Sequence, residues 1–167
     1  MRPRTIVFAA GNRSRGDDAI GPLLLERLAS RLASEGRRDE FTLIDDYQLQ
    51  IEHALDLEGR QLALFIDAGW RTTAPLAFYA VAAAQAPAQN NTHRLSPQGV
   101  LNVYRQIGLG DAPEAFVLCV RGECFELGAG LSGPARAHAE AAWRKLAQLC
   151  ARPDAALWRA LVTARAD

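Results

Sequence analysis

Cysteine is scarce in this chain of 167 residues, which contains three of them and no Cys-x-x-Cys pair. An odd and sparse count fits neither a disulfide framework nor a structural zinc site. We expect Cys119, which lies in an apolar stretch, to pack as a small hydrophobic residue. A chain of this length buries about two-thirds of its unfolded surface, so it can fold without such cross-links.

Charge of one sign is not in excess, because 19 Lys and Arg residues balance 19 Asp and Glu residues. No basic field is available to hold nucleic acid or an acidic membrane surface, and we expect neither partner. No apolar run reaches the roughly 18 residues that a membrane-spanning helix needs. No basic region followed by a long apolar run precedes the first predicted strand, so we expect no secretory signal and a cytoplasmic location.

Several familiar catalytic and nucleotide-binding signatures are missing as well. The chain has no helix motif with the paired histidines of zinc proteases, and no Ser or Cys in a recognisable nucleophile elbow. The loop Gly11–Gly16 lacks both the three-glycine spacing of dinucleotide-binding turns and the Walker lysine. Two Asp residues follow this loop directly and would repel a phosphate. A nucleotide-binding α/β module therefore stays an alternative that the sequence does not favour.

Short apolar segments alternate with segments of helical periodicity along the chain. The predicted strands are Thr5–Ala9, Phe41–Ile44, Leu62–Ile66, Leu76–Val81 and Ala115–Val120. The predicted helices are Ile20–Ser34, Gln48–Leu57, a helix beginning at Ser96-Pro97, Ser132–Leu149 and Ala155–Ala164. This order predicts an α/β fold with a three-layer, mostly parallel five-stranded sheet and helices on both faces. The link after the third strand is short, so we predict that the fourth strand runs antiparallel to the third. We expect a single domain over residues 1–167, in which residues 151–167 form an appended helix.

Two adjacent carboxylates, Asp17 and Asp18, stand between the first predicted strand and the first predicted helix. That position is the carboxyl end of a strand, the edge where open α/β sheets bind ligands. A helix cap is the alternative interpretation, because Asp is common at helix starts. Asp67 ends the third predicted strand. Since first and third strands are often neighbours in doubly wound sheets, we expect Asp18 and Asp67 to lie at one edge.

A histidine, His93, lies in a polar loop just before a predicted helix. The preceding loop, residues 82–92, can extend by about 35 Å, enough to return the chain to the edge that carries Asp18 and Asp67. Two carboxylates and an imidazole could bind nickel, zinc, manganese or iron. The alternatives are a solvent-exposed His93 and an Asp67 that only shapes a turn. Two further histidines are expected to be structural or to face solvent: His53 and His138.

These pieces of the sequence, taken together, resemble the hydrogenase maturation proteases, which trim the carboxyl terminus of the nickel–iron hydrogenase large subunit. The matching pieces are Gly11-Asn12, Gly16-Asp17-Asp18-Ala19-Ile20-Gly21, Asp67-Ala68 and Thr92-His93. Residues Glu126–Ser132 resemble the late glycine-containing segment of the family, and the resemblance spans residues 4 to 150 approximately. The chain departs from the family pattern at Gln98, where other members carry the histidine after a Ser-Pro pair, and at Asp45–Gln48, where many carry glycines.

The resemblance implies an endopeptidase that removes the C-terminal extension of a nickel-loaded large-subunit precursor. Carried over position by position, the metal contacts fall on Asp18, Asp67 and His93, and the nickel is supplied by the substrate. Two mechanisms stay open for the catalytic carboxylates Asp18 and Asp67. Either one activates a water near the metal, or the metal only docks the substrate while a carboxylate acts as general base. The expected partner is the precursor, and we expect the protein to act as a monomer. A chaperone that senses nickel in the same precursor without cutting it is the other alternative.

Overall fold

Five strands form one mixed sheet. They are β1 (Thr5–Ala10), β2 (Phe41–Asp46), β3 (Leu62–Gly69), β4 (Leu76–Val81) and β5 (Glu114–Arg121), and they lie in the order β2-β1-β3-β5-β4. The computed structural model that gives this fold describes residues 1–84 and 95–163. The pairs β1–β2, β1–β3 and β3–β5 are parallel, and β4 is antiparallel to β5. The predicted mostly parallel five-stranded sheet with one antiparallel strand is confirmed.

The helices cover both faces of the sheet, as predicted. They are α1 (Ile20–Ser34), α2 (His53–Asp56), α3 (Pro97–Ile107), α4 (Gly133–Ala151) and α5 (Ala155–Ala160), with 3-10 turns at Gly16–Ala19 and Arg38–Glu40. Helices α1, α4 and α5 pack on one face, and α2 and α3 pack on the other. Each face has its own hydrophobic core: the first lies under α1, α4 and α5, and the second lies under α2 and α3. Along β3, Leu64 and Ile66 belong to the first core, whereas Ala63 and Phe65 belong to the second. None of the helices in the described residues is long and apolar enough to cross a membrane.

β4 forms one edge of the sheet. It is antiparallel in direction to β3, as predicted, but its hydrogen-bonded neighbour is β5, with Leu76 opposite Val120. The outer backbone of Phe78 is paired with Thr163, beyond α5. The Thr163 N–H donates to the Phe78 carbonyl at 2.8 Å, and the Thr163 hydroxyl oxygen accepts the Phe78 N–H at 2.9 Å. The segment after the last helix therefore covers part of this edge.

Helix starts that carry a small polar residue and a proline are confirmed. α3 begins after Ser96, whose hydroxyl oxygen accepts the Gly99 N–H at 3.0 Å. α4 likewise begins after Ser132, whose hydroxyl oxygen accepts the Ala135 N–H at 3.3 Å. α1 has no such cap, but its bounds are those predicted from its helical spacing. A capping side chain satisfies N–H groups that have no partner within the helix, so such starts are visible in a sequence.

Several boundaries differ from the prediction: β3 continues to Gly69 and so includes Asp67, and the largest differences lie in β2 and α2. β2 does not stop before Asp45 and Asp46 but includes both, because they continue the parallel pairing with β1. The helix predicted over Gln48–Leu57 is reduced to the single turn α2. Its first residues are not helical, and Leu49 pairs instead with Leu95 in an isolated antiparallel bridge. Local periodicity does not reveal such a long-range pairing.

α5 ends at Ala160, four residues earlier than predicted, and is fixed by one fully buried side chain. The ring of Trp158 lies edge-on to Phe78 and Phe116, with centroid distances of 6.4 and 5.5 Å. Its indole N–H donates to the carbonyl of Leu149 at 3.0 Å. The last helix is therefore part of the first core.

Candidate active site

The turn after β1 passes unusually close to its neighbours. The Gly11 N–H donates to the carbonyl of Asp46 at 3.0 Å, which joins the turn to the end of β2. Gly11 has φ +156°, and a Cβ at this position would lie 2.0 Å from the carbonyl oxygen of Asp18. A Cβ at Gly21 would lie 3.0 Å from the carbonyl oxygen of Ala10. Glycine permits these approaches, which set the adjacent carboxylates at the carboxyl end of β1.

Asp17 points into the protein, where it is fully buried. Its Oδ2 accepts hydrogen bonds from the Glu123 N–H at 2.7 Å, the Cys124 N–H at 2.9 Å and the Ser132 hydroxyl at 2.7 Å. Its Oδ1 accepts the Ser132 N–H at 2.8 Å. We call this carboxylate and its four donors the Asp17 clasp. The clasp joins residues that lie between 106 and 115 positions apart in the chain.

The clasp keeps Asp17 ionised. Burial alone would raise the pKa of this carboxyl, because it disfavours the charged form. The hydrogen bonds from Glu123, Ser132 and Cys124 stabilise the anion and outweigh burial, so the pKa is lowered below its ordinary value. A full negative charge therefore lies inside the protein, neutralised by peptide and hydroxyl dipoles.

Asp18 lines a cleft of about 450 Å³ at the carboxyl edge of the sheet. Its Oδ2 accepts the Asn12 N–H at 2.7 Å, which fixes the carboxylate against the turn. Neither the 3-10 turn nor α1 has a side-chain cap at its start, so the interpretation of Asp17 or Asp18 as a helix cap is wrong. Two neighbouring carboxylates thus have separate surroundings, one interior and one at the cleft.

Asp67 lines the same cleft. It follows the buried part of β3, which lies beside β1 with Ile66 opposite Ala9, as predicted for first and third strands. Its Oδ1 accepts the Ala68 N–H at 2.8 Å. The structure therefore brings Asp18 and Asp67 to one cleft from positions 49 residues apart.

Cys119, opposite Asp67 on β5, packs behind the cleft. Its sulfur lies 2.9 Å from the Thr72 hydroxyl. Burial raises the pKa of the Cys119 thiol, the charge of Asp67 adds to this, and the contact with Thr72 opposes both. A thiol that resists ionisation is a poor nucleophile, which fits the packing role expected for Cys119.

His93 lies within residues 85–94, outside the described residues, so its contact with the metal stays a prediction. The first described residue after this segment, Leu95, donates its N–H to the Leu49 carbonyl at 3.3 Å. Gln48, next to Leu49, lines the cleft. Within residues 1–84 and 95–163, no group of three or more His, Cys, Asp or Glu side chains is arranged to hold a metal ion.

The other two histidines contact the backbone. His53 is buried, its Nδ1 accepts the Gln50 N–H at 2.8 Å, and its Nε2 lies 3.4 Å from the Asp46 carboxylate. The Nδ1 of His138 lies 3.1 Å from the carbonyl oxygen of Arg121. These contacts give both histidines structural roles, as expected.

Three aromatic side chains that sequence reasoning missed also line the cleft: Tyr47, Trp70 and Phe125. Tyr47 and Trp70 are largely exposed and directly follow the ends of β2 and β3, a position that could have identified them. Phe125 carries no such signal, because it follows no strand end and reaches the cleft beside Cys124 of the Asp17 clasp.

Several solved structures share this architecture. The chain matches HycI, a nickel–iron hydrogenase maturation protease from Thermococcus kodakarensis KOD1, with a TM-score of 0.66 and 18% identity over 90% of this chain and 94% of that one. It matches the hydrogenase maturating endopeptidase HybD from E. coli with a TM-score of 0.63 and 22% identity over 90% of this chain and 93% of that one. It matches the hydrogenase 2 maturation peptidase from a Thaumarchaeota archaeon with a TM-score of 0.59 and 21% identity, over 88% of this chain and 97% of that one.

The chain has the fold of the hydrogenase maturation proteases. The resemblance inferred from the sequence is confirmed at this level, over about nine-tenths of the chain. No protein-family model and no curated protein sequence matches the chain. At these identities the likeness to the maturation proteases concerns the fold. Within that fold, three pieces of the sequence pattern contribute residues to one cleft: Gly11-Asn12, Gly16–Gly21 and Asp67-Ala68.

Proposed function

We propose that this protein is an endopeptidase that removes the C-terminal extension from the nickel-loaded large-subunit precursor of a nickel–iron hydrogenase, acting as a cytoplasmic monomer. The observation that carries the proposal is a pair of carboxylates, Asp18 and Asp67, that line one cleft in a chain with the maturation-protease fold. Solved structures with this fold are described as a maturation protease, an endopeptidase and a peptidase, which supports the activity.

In this proposal the nickel belongs to the substrate and enters the cleft with the precursor, where Asp18, Asp67 and His93 contact it. Carboxylate oxygen and imidazole nitrogen are both suitable ligands for a divalent transition metal, and the precursor supplies the others. The position of Leu95 supports His93 as the third contact. Leu95 is paired with Leu49 beside the cleft, and two residues span at most about 7 Å.

The carboxylates supply the base for peptide hydrolysis. A carboxylate such as Asp18, held by the Asn12 N–H, can accept a proton from a water that attacks the scissile carbonyl. The same proton then passes to the leaving amine when the peptide bond breaks. A metal beside this site would polarise the carbonyl or acidify the water. The aromatic side chains around the cleft provide apolar contact for the extended precursor segment.

Incubation of the purified protein with nickel-loaded precursor tests this proposal. We expect the wild-type protein to shorten the precursor. We expect Asp18→Asn and Asp67→Asn to slow cleavage by about a hundredfold or more, because an amide neither accepts the proton nor binds the metal as an anion. We expect a comparable loss for His93→Ala. Asp39→Asn is the matched control, since Asp39 is an exposed carboxylate in the other 3-10 turn, before β2.

The readout is the mass of the intact precursor over time. Equal trimming by the wild type and all three site variants would refute the site. A precursor that binds the protein but keeps its full length would reject the endopeptidase and favour the nickel-sensing chaperone.

A further inference from the structure

We propose that Asp17 is a positioning residue for the cleft: its carboxylate holds residues 122–132 against the turn that carries Asp18. The effect on cleavage rests on the proposed function, whereas the effect on residues 122–132 can be measured without it. Asp17 does not line the cleft, so it acts on the substrate only through its neighbours.

The Asp17 clasp is the centre of a longer row of hydrogen bonds between residues 14–17 and residues 123–132, which we call the seam. The Asp17 N–H donates to the Cys124 carbonyl at 2.7 Å, so this residue bonds the distant segment with both its backbone and its side chain. On either side, the Gly16 N–H donates to the Ala129 carbonyl at 3.1 Å and the Gly128 N–H donates to the Ser14 carbonyl at 2.6 Å. The segment has no strand or helix of its own between β5 and α4, so these bonds determine its path.

The two backbones approach so closely beside the clasp that two positions, Gly16 and Gly122, have little room for a side chain. A Cβ at Gly16 would lie 2.4 Å from the carbonyl oxygen of Cys124. A Cβ at Gly122 would lie 3.1 Å from the Cβ of Asp17. Glycine at positions 16 and 122 therefore permits the close approach on which the clasp depends.

The clasp also requires a charge rather than a polar group. All four of its hydrogen bonds are donated to the carboxylate, by Glu123, Cys124 and twice by Ser132. An amide at position 17 that keeps its oxygen at the Oδ2 position would turn its NH₂ group toward the Ser132 N–H and leave that N–H without an acceptor. Burial of the Asp17 side chain makes such a mismatch costly.

The seam sets one wall of the cleft. Phe125 directly follows Cys124 and lines the cleft together with Asp18, which directly follows Asp17. The two clasp residues Asp17 and Cys124 are therefore each followed by a residue of the cleft, Asp18 on one segment and Phe125 on the other. Loosening the clasp moves Phe125 relative to Asp18, and displacements of about 1 Å in a catalytic site can reduce rates by about a hundredfold.

Four variants separate this role from general stability: Asp17→Asn, Ser132→Ala, Ser132→Thr and Asp39→Asn. Asp17→Asn removes the charge with little change in shape. Ser132→Ala removes one donor and the α4 cap, while Ser132→Thr keeps the hydroxyl for both. Asp39→Asn removes an exposed carboxylate from the other 3-10 turn. All assays are run at a temperature where circular dichroism shows each variant to be folded.

Hydrogen exchange followed by mass spectrometry is the first measurement. We expect Asp17→Asn and Ser132→Ala to speed exchange about tenfold or more in peptides covering residues 122–132, with the core strands unchanged. Ser132→Thr and Asp39→Asn should match the wild type. Precursor cleavage is the second measurement, and we expect kcat/KM to fall about tenfold or more in the first two variants and to recover in Ser132→Thr.

If hydrogen exchange in residues 122–132 is the same in Asp17→Asn as in the wild type, the claim that Asp17 holds this segment is wrong. Faster exchange with wild-type cleavage would overturn the positioning role, because a purely structural clasp leaves kcat/KM unchanged in folded protein. If the wild type itself cleaves nothing, the proposed function fails instead. Exchange in the peptides that carry Asp18 and Phe125 then decides whether the clasp holds the cleft.

Discussion

Asp17 and Asp18 are chemically identical neighbours with opposite environments. The sequence places a carboxylate pair at the edge of the sheet, and the structure puts Asp18 at the cleft and Asp17 in the interior. Successive side chains in a 3-10 turn point about 120° apart, so Asp17 and Asp18 face different surroundings. Asp18 is held by the nearby Asn12 N–H, whereas Asp17 depends on donors more than 100 positions away, which no local pattern reveals. The residue types of the site are therefore predictable, and the family resemblance selects Asp18 for the site, but the contacts of Asp17 are not predictable from the sequence.

The lowered pKa of Asp17 predicts how stability responds to acid. A carboxyl whose pKa is lower in the folded state stabilises the protein above its unfolded pKa of about 3.9 and loses that contribution as the pH falls through the folded-state value. We expect Asp17→Asn to reduce the free energy of unfolding by about 3 kcal/mol at pH 7 and to flatten its decline below pH 5. Urea titrations at pH 7, 5, 4 and 3 measure both effects. Asp39→Asn should keep the wild-type dependence, and an unchanged slope in Asp17→Asn would contradict the assignment.

Helices and strands were predictable where local chemistry marks their ends. α1 and α3 begin or end as expected, because helical spacing and a Ser-Pro start are properties of consecutive residues. α2 and the end of β2 were not predictable, because the bridge between Leu49 and Leu95 and the pairing of Asp45 with Ala9 join distant residues. Among the aromatic residues of the cleft, Phe125 belongs to this second kind of feature, whereas Tyr47 and Trp70 directly follow strand ends.

Two tryptophans allow the contributions of α5 and of the cleft to the free energy of unfolding to be compared. Trp158 is fully buried against Phe78 and Phe116, whereas Trp70 is 60% exposed at the cleft. We expect Trp158→Ala to lower the free energy of unfolding by about 3–5 kcal/mol, and Trp70→Ala to change it by less than about 0.5 kcal/mol. Chemical denaturation measures both. In the precursor assay the folded Trp70→Ala variant should raise KM several-fold, and a large loss of stability in this variant would show that Trp70 belongs to the core.

The order of the strands explains how much of the site the sequence could predict. The neighbourhood of β1 and β3 follows from the winding of α/β sheets and brings Asp18 and Asp67 together. The insertion of β5 between β3 and β4 does not follow from the short link after β3, which predicts only the antiparallel direction of β4. The path of residues 122–132 also depends on the assembled sheet, so the contribution of Phe125 was not visible in advance.

The open edge of the sheet gives a prediction for the whole molecule. Thr163 satisfies the outer N–H and carbonyl of Phe78, which would otherwise be available to another chain. We expect deletion of residues 163–167 to increase concentration-dependent self-association and to reduce the free energy of unfolding by about 1–2 kcal/mol. Deletion of residues 164–167 keeps Thr163 and is the control. Light scattering during slow heating measures association, and identical behaviour of the two deletions would contradict a protective role.

The long reach of the Asp17 clasp has a consequence for protein synthesis. Its donors extend to Ser132, so the ribosome must release most of the polypeptide before the turn at Asp17 can find its partners. A chain that has been synthesised only as far as β4 already contains Asp18 and Asp67. It lacks Phe125 and the hydrogen bonds that hold Phe125 at the cleft. A nascent chain would therefore carry both carboxylates before the cleft is complete, and the cleft would form only after residues 122–132 have docked on the turn at Asp17.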